Sequence, residues 1–173
     1  MIIKEATIRI IACAWLMAAV LMICPALAEP VVKSGDSAPA IKLQNTRGET
    51  VTINPSSGNK VTLLCFFTSW SKPCQEEMAF LQTLTGEKVT IYGVSFDRKL
   101  KDLKEYLAAG KIDFEIVHDA KLKTIKDFGV IILPSLFVID RQGKITNIYI
   151  DYDENVKEAV TNELKTLTSP SKE

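Results

Sequence analysis

The sequence predicts an α/β domain: a central mixed β-sheet flanked by helices on both faces, with an N-terminal β-hairpin. Three observations predict it. The run VTLLCFF at 61–67 is a continuous apolar segment, the mark of a strand buried on both faces. Strand-like and helix-like segments alternate after it, which builds parallel neighbours with helical crossovers. The chain then closes with a hairpin and one more helix, which makes the sheet mixed. At 173 residues it holds one domain with a real core and not two.

The elements follow in order. Residues 1–28 carry Lys4 and Arg9 ahead of an apolar stretch that ends in Ala26-Leu27-Ala28. A basic flank, an apolar centre and an A-x-A end describe a secretory signal peptide cut after Ala28. An uncleaved anchor is the rival reading, since the apolar stretch approaches spanning length. Either way the domain is expected outside the cytoplasm. Residues 29–40 are a polar lead-in rich in Pro and Gly, expected to carry little structure of its own.

The domain proper is expected over 41–168. Residues 41–53 alternate apolar and polar on both sides of Arg47-Gly48, a hairpin signal. A helix is expected over 72–84, a strand over 88–97 and a helix over 99–109 ended by a left-handed Gly110. A short strand over 113–119 and a helix over 120–128, stopped by Gly129, come next. Strands over 135–140 and 144–151 form the late hairpin. The last helix starts from an Asp153 N-cap and runs to about Leu167. Residues 169–173 are a frayed tail.

Charge excludes some classes of partner. The 21 basic and 21 acidic residues balance, and beyond residue 28 the counts are 19 and 20. No single-sign field exists to recruit nucleic acid, and a membrane enters only if the N-terminal segment is retained. Cys13 and Cys24 belong to the targeting segment, leaving Cys65 and Cys74, too few for a disulfide scaffold. The single His118 has no second ligand at metal spacing and reads as a strand-end histidine. Neither a metal nor a cofactor is expected.

Three stretches carry a resemblance: APAIKLQNTRGETVTI, VTLLCFFTSWSKPCQEEM and GVIILPSLFVIDRQGKI. Together they resemble the TlpA/ResA group of thioredoxin-like proteins, extracytoplasmic redoxins often tied to cytochrome c maturation. The resemblance implies a thioredoxin-like fold and thiol–disulfide chemistry toward protein or peptide thiols and disulfides. That group opens its active helix with W-C-x-x-C; here the run is Trp70-Ser71-Lys72-Pro73-Cys74. Disulfide exchange needs a thiolate. A helix N-terminus makes a thiol reactive, but the same field leaves an alcohol un-ionised. Ser71 therefore stands where the resemblance implies the nucleophile, and the dithiol cycle is expected to be lost or weak. Peroxiredoxin chemistry needs its cysteine at that same place and is disfavoured; the copper-binding Sco pattern is absent.

Four readings of the site remain open. Ser71 can be simply an N-cap whose hydroxyl satisfies a first-turn N–H, with Pro73 harmless beside it. Cys74 can act alone as a residual thiol, one turn inside the helix. Cys65, which by resemblance lies on the strand beneath Cys74, can pair with it or can be a small core residue. Finally, Trp70, Lys72, Pro73, Leu133 and Pro134 can form a groove that binds extended peptide without reacting, since the resemblance implies a cis-proline at Pro134. Glu77 matches an acid near the family's dithiol; alternatively Glu76 and Glu77 only favour the positive end of their own helix.

Overall fold

Strand β3 (Val61–Phe67) is buried at all seven positions, and both faces of it are used. Successive side chains of a strand point to opposite faces. Leu63, Cys65 and Phe67 enter one core cluster with Met78, Leu81, Leu103, Val160 and others. Leu64 and Phe66 enter a second cluster with Ile41, Ile53, Phe128 and Phe137. Each such apolar side chain contributes about 1.5–3 kcal/mol relative to exposure. This is why an unalternating apolar run can be a strand only at the centre of a sheet covered on both sides.

The computed structural model describes residues 32–169. A seven-stranded sheet has the order β2-β1-β5-β4-β3-β6-β7, built from β1 (Ile41–Asn45), β2 (Thr50–Ile53), β3, β4 (Val89–Ser95), β5 (Glu115–His118), β6 (Ser135–Ile139) and β7 (Ile145–Ile150). Strands β3, β4 and β5 run parallel, while β1, β2, β6 and β7 pair antiparallel. The helices are α1 (Lys72–Gln82), α2 (Leu100–Ala109), α3 (Lys123–Phe128) and α4 (Glu154–Thr168). Helices α1, α2 and α4 cover the first cluster and α3 the second. The expected mixed α/β sheet with its N-terminal hairpin is what forms.

The structure departs from the sequence expectations where tertiary contacts take over. Gly110 ends α2 in an extended conformation, φ −92 and ψ 151, rather than left-handed. Ile112 and Phe114, just beyond it, pack onto the first cluster and draw the chain straight on. Gly129 does adopt φ 66. Helix α3 starts at Lys123, not 120, because Asp119 binds Thr124 through both its backbone N–H and its hydroxyl at 2.8 Å, after a left-handed Leu122. Helix α1 ends at Gln82, two residues short of expectation.

The lead-in is better fastened than its composition suggests. Gly35 N–H donates to Ile145 O (2.8 Å), Ile145 N–H to Asp36 O (2.9 Å) and Ala38 N–H to Gly143 O (2.9 Å). The segment thereby satisfies backbone groups at the start of β7's outer edge, which would otherwise be unpaired. The targeting segment at 1–28 and residues 170–173 of the tail lie outside the described residues. No helix among those described is long and apolar enough to cross a membrane.

Candidate functional site

At the carboxyl end of β3 the chain turns through Thr68, Ser69, Trp70 and Ser71 into α1. Ser71 is the N-cap, with φ −83 and ψ 124, and its carbonyl accepts from Gln75 N–H at 3.0 Å. Its hydroxyl makes no cap bond, contrary to the expectation for a serine in that place. The turn is held instead by other contacts. Ser71 N–H reaches Thr68 O at 3.4 Å, and Gln75 Nε2 donates to Ser69 O at 2.6 Å. Pro73 lies in the first turn, where its missing donor has no helical partner to lose.

The two thiols are interior groups. Cys74 and Cys65 are both free and both fully buried, in the same core cluster. One turn beyond Cys74, Glu77 is fully buried too. It is no solvated first-turn acid: Cys65 Sγ–H donates to Glu77 Oε2 at 2.9 Å. Glu77 Oε1 has no partner among the described residues. Burial pushes the Glu77 carboxyl up to about 7; the Cys65 hydrogen bond pulls it down and the charge of Asp151 adds to the rise. Burial also pushes the Cys65 thiol well up, reinforced by the charge and hydrogen bond of Glu77. Cys65 is therefore a thiol that donates, not a thiolate that attacks.

The surface above is apolar. Trp70 is 77% exposed, Ile131 93% and Ile132 52%. The β3–β6 register, with Phe66 opposite Ser135, puts the Trp70 turn and the 131–134 segment at the same end of adjacent strands. The Leu133–Pro134 bond is cis. Ser135 Oγ donates to Ile132 O at 2.6 Å and Asp151 N–H to Pro134 O at 2.8 Å, which pin this segment from both sides. Leu133 is half-buried and Pro134 buried. Lys72 points to solvent and pairs with Glu76 at 3.6 Å.

One polar network was not anticipated. Asp97, 2% exposed, accepts from Ser69 N–H (3.0 Å), Ser69 Oγ (2.8 Å) and Ser95 Oγ (2.7 Å). His118, the last residue of β5, bonds the Asp97 carbonyl through Nε2 at 2.7 Å. This places the turn before α1 under the control of the ends of β4 and β5. The sequence signal was Ser95-Phe96-Asp97, two short polar groups closing an apolar strand.

Among the described residues, a seven-stranded mixed sheet flanked by four α-helices, with the central strand leading into α1 and a cis-proline just before the adjacent β6, defines a thioredoxin-like α/β protein. Residues 34–148 match the AhpC/TSA family, and the chain belongs to that family. Sporulation thiol-disulfide oxidoreductase A of Bacillus subtilis (strain 168) is 31% identical over 115 residues, covering 62% of this chain and 68% of its own. Thiol-disulfide oxidoreductase ResA of Bacillus thuringiensis subsp. konkukian (strain 97-27) is 28% identical over 144 residues, 81% of this chain and 82% of its own. Among solved structures, a thiol-disulfide oxidoreductase from Bacteroides fragilis NCTC 9343 superposes with a TM-score of 0.65 at 26% identity, covering 76% of this chain and 99% of its own. A Chlorobium tepidum crystal structure described as a thiol:disulfide interchange protein DsbE superposes with a TM-score of 0.74 at 25% identity, over 80% of this chain and 99% of its own. The chain thus resembles thiol–disulfide oxidoreductases.

Proposed function

We propose that this protein is an exported thioredoxin-like binding module whose dithiol turnover has been lost or reduced to a trace. It holds an extended, cysteine-containing polypeptide in the groove between Trp70 and Leu133-Pro134, in the space outside the cytoplasm. One observation carries the reading: the N-cap of α1 is Ser71, an alcohol, while the thiol three residues on, Cys74, is fully buried. By resemblance Ser71 stands in the place of the attacking cysteine. A helix N-terminus activates sulfur there and cannot make an effective nucleophile of a serine hydroxyl. The exposed Trp70, Ile131 and Ile132 leave an apolar surface for a polypeptide even so.

An active Cys65–Cys74 pair is the less favoured alternative. Cys65 is engaged with Glu77 and its thiol is pushed well up. Neither sulfur is open to a partner disulfide.

Insulin reduction by the wild type, Ser71→Cys and Cys74→Ala, with mass spectrometry of the resting thiols, tests this. The expected result is no turnover in the wild type or Cys74→Ala and new turnover in Ser71→Cys. Wild-type turnover at dithiol rates, abolished in Cys74→Ala, overturns it. Binding is read directly, because Trp70 is the only tryptophan beyond residue 28. Reduced, alkylated insulin B chain should change its fluorescence, and calorimetry should show the affinity falling in Trp70→Ala.

A further inference from the structure

We propose that Glu77 and the Asp151-Tyr152 turn form a pH-operated catch on the Trp70 groove, which rests on that groove being a polypeptide site. The catch is closed while the Glu77 carboxyl keeps its proton and released when the carboxyl ionises. The turn joins the two parts. Asp151 follows β7 directly, and its N–H donates to Pro134 O at 2.8 Å, so the turn holds one wall of the groove. On its other side, Phe80 of α1 packs against Tyr152 with ring centroids 5.9 Å apart. Glu77 lies one turn before Phe80, and residues three apart are neighbours on a helix. The turn therefore bridges the helix that carries the acid and the Leu133-Pro134 wall.

Glu77 has nowhere to keep a charge. It is fully buried, Cys65 Sγ is its one donor among the described residues, and no ion pair there includes it. Its own helix brings Cys74 and Glu76, the latter paired with Lys72, and β3 brings Cys65. The turn brings Asp151 and Tyr152, with Asp153 and the Lys157-paired Glu154 beyond them at the start of α4. Tyr106 of α2 lies near both thiols. No free cation is in this set. The rise of Glu77 to about 7 agrees, since burial and then the charge of Asp151 both oppose ionisation. Tyr152, pushed up to about 12 by burial and then by Glu154, Glu77 and Glu76, feels the same field from the turn.

The turn is also poised to move. Asp151 has φ 67, a left-handed conformation that a residue with a side chain adopts at a cost. Two hydrogen bonds keep it there: its N–H to Pro134 O, and Tyr152 N–H to its Oδ1 at 2.9 Å. An ionised Glu77 gains water and relieves its repulsion with Asp151 by displacing this turn, which sheds its strain as it leaves. Displacement breaks the Asp151–Pro134 bond, and the wall loses its hold. Peptide is therefore gripped below about pH 7 and let go above it.

Amide exchange of the free protein, and calorimetry with reduced, alkylated insulin B chain, test this at pH 6 and pH 8.5 in the wild type and Glu77→Gln. In the wild type the protection factor of Asp151 N–H should fall about tenfold across that range. Ile145 N–H, bonded to Asp36 O at the other end of β7, should keep its own. Affinity should fall about tenfold more in the wild type than in Glu77→Gln, which meets the same peptide and so cancels its titration. By reciprocity, bound peptide should move the Glu77 midpoint, read by carboxyl ¹³C shifts, upward by about one pH unit. Unchanged Asp151 protection, an equal fall at Ile145, or matching affinity losses in the two proteins overturns the catch. A protection step with no peptide bound at either pH sinks the groove reading, and the catch's part in binding with it. Binding that needs Trp70 but ignores pH sinks the catch alone.

Discussion

Two buried carboxylates, one on either side of the turn before α1, differ in how they are satisfied. Asp97 meets three donor groups, the Ser69 N–H, the Ser69 hydroxyl and the Ser95 hydroxyl, and both of its oxygens are used. Glu77 meets one, the weak Cys65 thiol, and its second oxygen has nothing. Both are almost wholly removed from solvent. The difference lies in the neighbours. Asp97 lies where three strands end and backbone and hydroxyl donors converge; Glu77 looks from a helix onto an apolar strand face. Depth therefore does not decide whether a buried acid stabilises the fold. The supply of donors decides it.

The largest expected effect comes from Glu77. Its folded pKa of about 7 lies above the ordinary glutamate value of 4.5. Between those values the folded state holds a proton that the unfolded state has released. Stability is therefore complete below about pH 4 and falls as pH rises, by about 3 kcal/mol once pH exceeds the folded pKa. Urea unfolding from pH 4 to pH 8 should show that slope, and Glu77→Gln should flatten it. A flat wild-type curve would break the contrast between the two acids. Cys65→Ala, which removes the one donor to Glu77 among the described residues, should move the midpoint of the slope upward.

Asp97→Asn should cost about 2 kcal/mol, since an amide NH₂ facing one of the converging donors leaves a buried group unpaired. Urea midpoints read this, and the emission of Trp70, on the turn that Ser69 anchors, should change with it. A loss within error would mean that Asp97 does not hold the turn.

The smallest effect separates two N-caps. Asp153 accepts from Val156 N–H at 2.8 Å, whereas the Ser71 hydroxyl caps nothing. Thermal unfolding should show Asp153→Ala losing about 1 kcal/mol and Ser71→Ala close to nothing. Equal losses would restore a capping role to Ser71.

Much of the fold was legible in the sequence. An apolar run without alternation can be satisfied only between two layers, so residues 61–67 announced the central strand and the layers with it. Asp153 was legible as a cap because its partner lies three residues away. Ser71 misled for the converse reason: its local chemistry suits a cap, but the turn is already held by Thr68, Gln75 and, through Ser69, Asp97. The fastening of residues 35–38 to the β7 edge was invisible because its partners lie more than 100 residues on. Of the candidate site, residues 70–74, Leu133 and Pro134 were singled out in advance; Asp97 was not, because the short signal Ser95-Phe96-Asp97 says nothing of its partner Ser69, 28 residues away.

The order of amino acids alone determined the strands and helices, the mixed sheet, and the presence of serine at the head of α1, since each depends on periodicity or on the identity of one residue. Only the tertiary structure decided that Cys65 would donate to Glu77, that Cys74 would be sealed from solvent, and that three strand ends would converge on Asp97. Those outcomes depend on which side chains meet across the sheet, and a carboxylate's proton affinity follows from the donors and solvent around it rather than from its place in the chain.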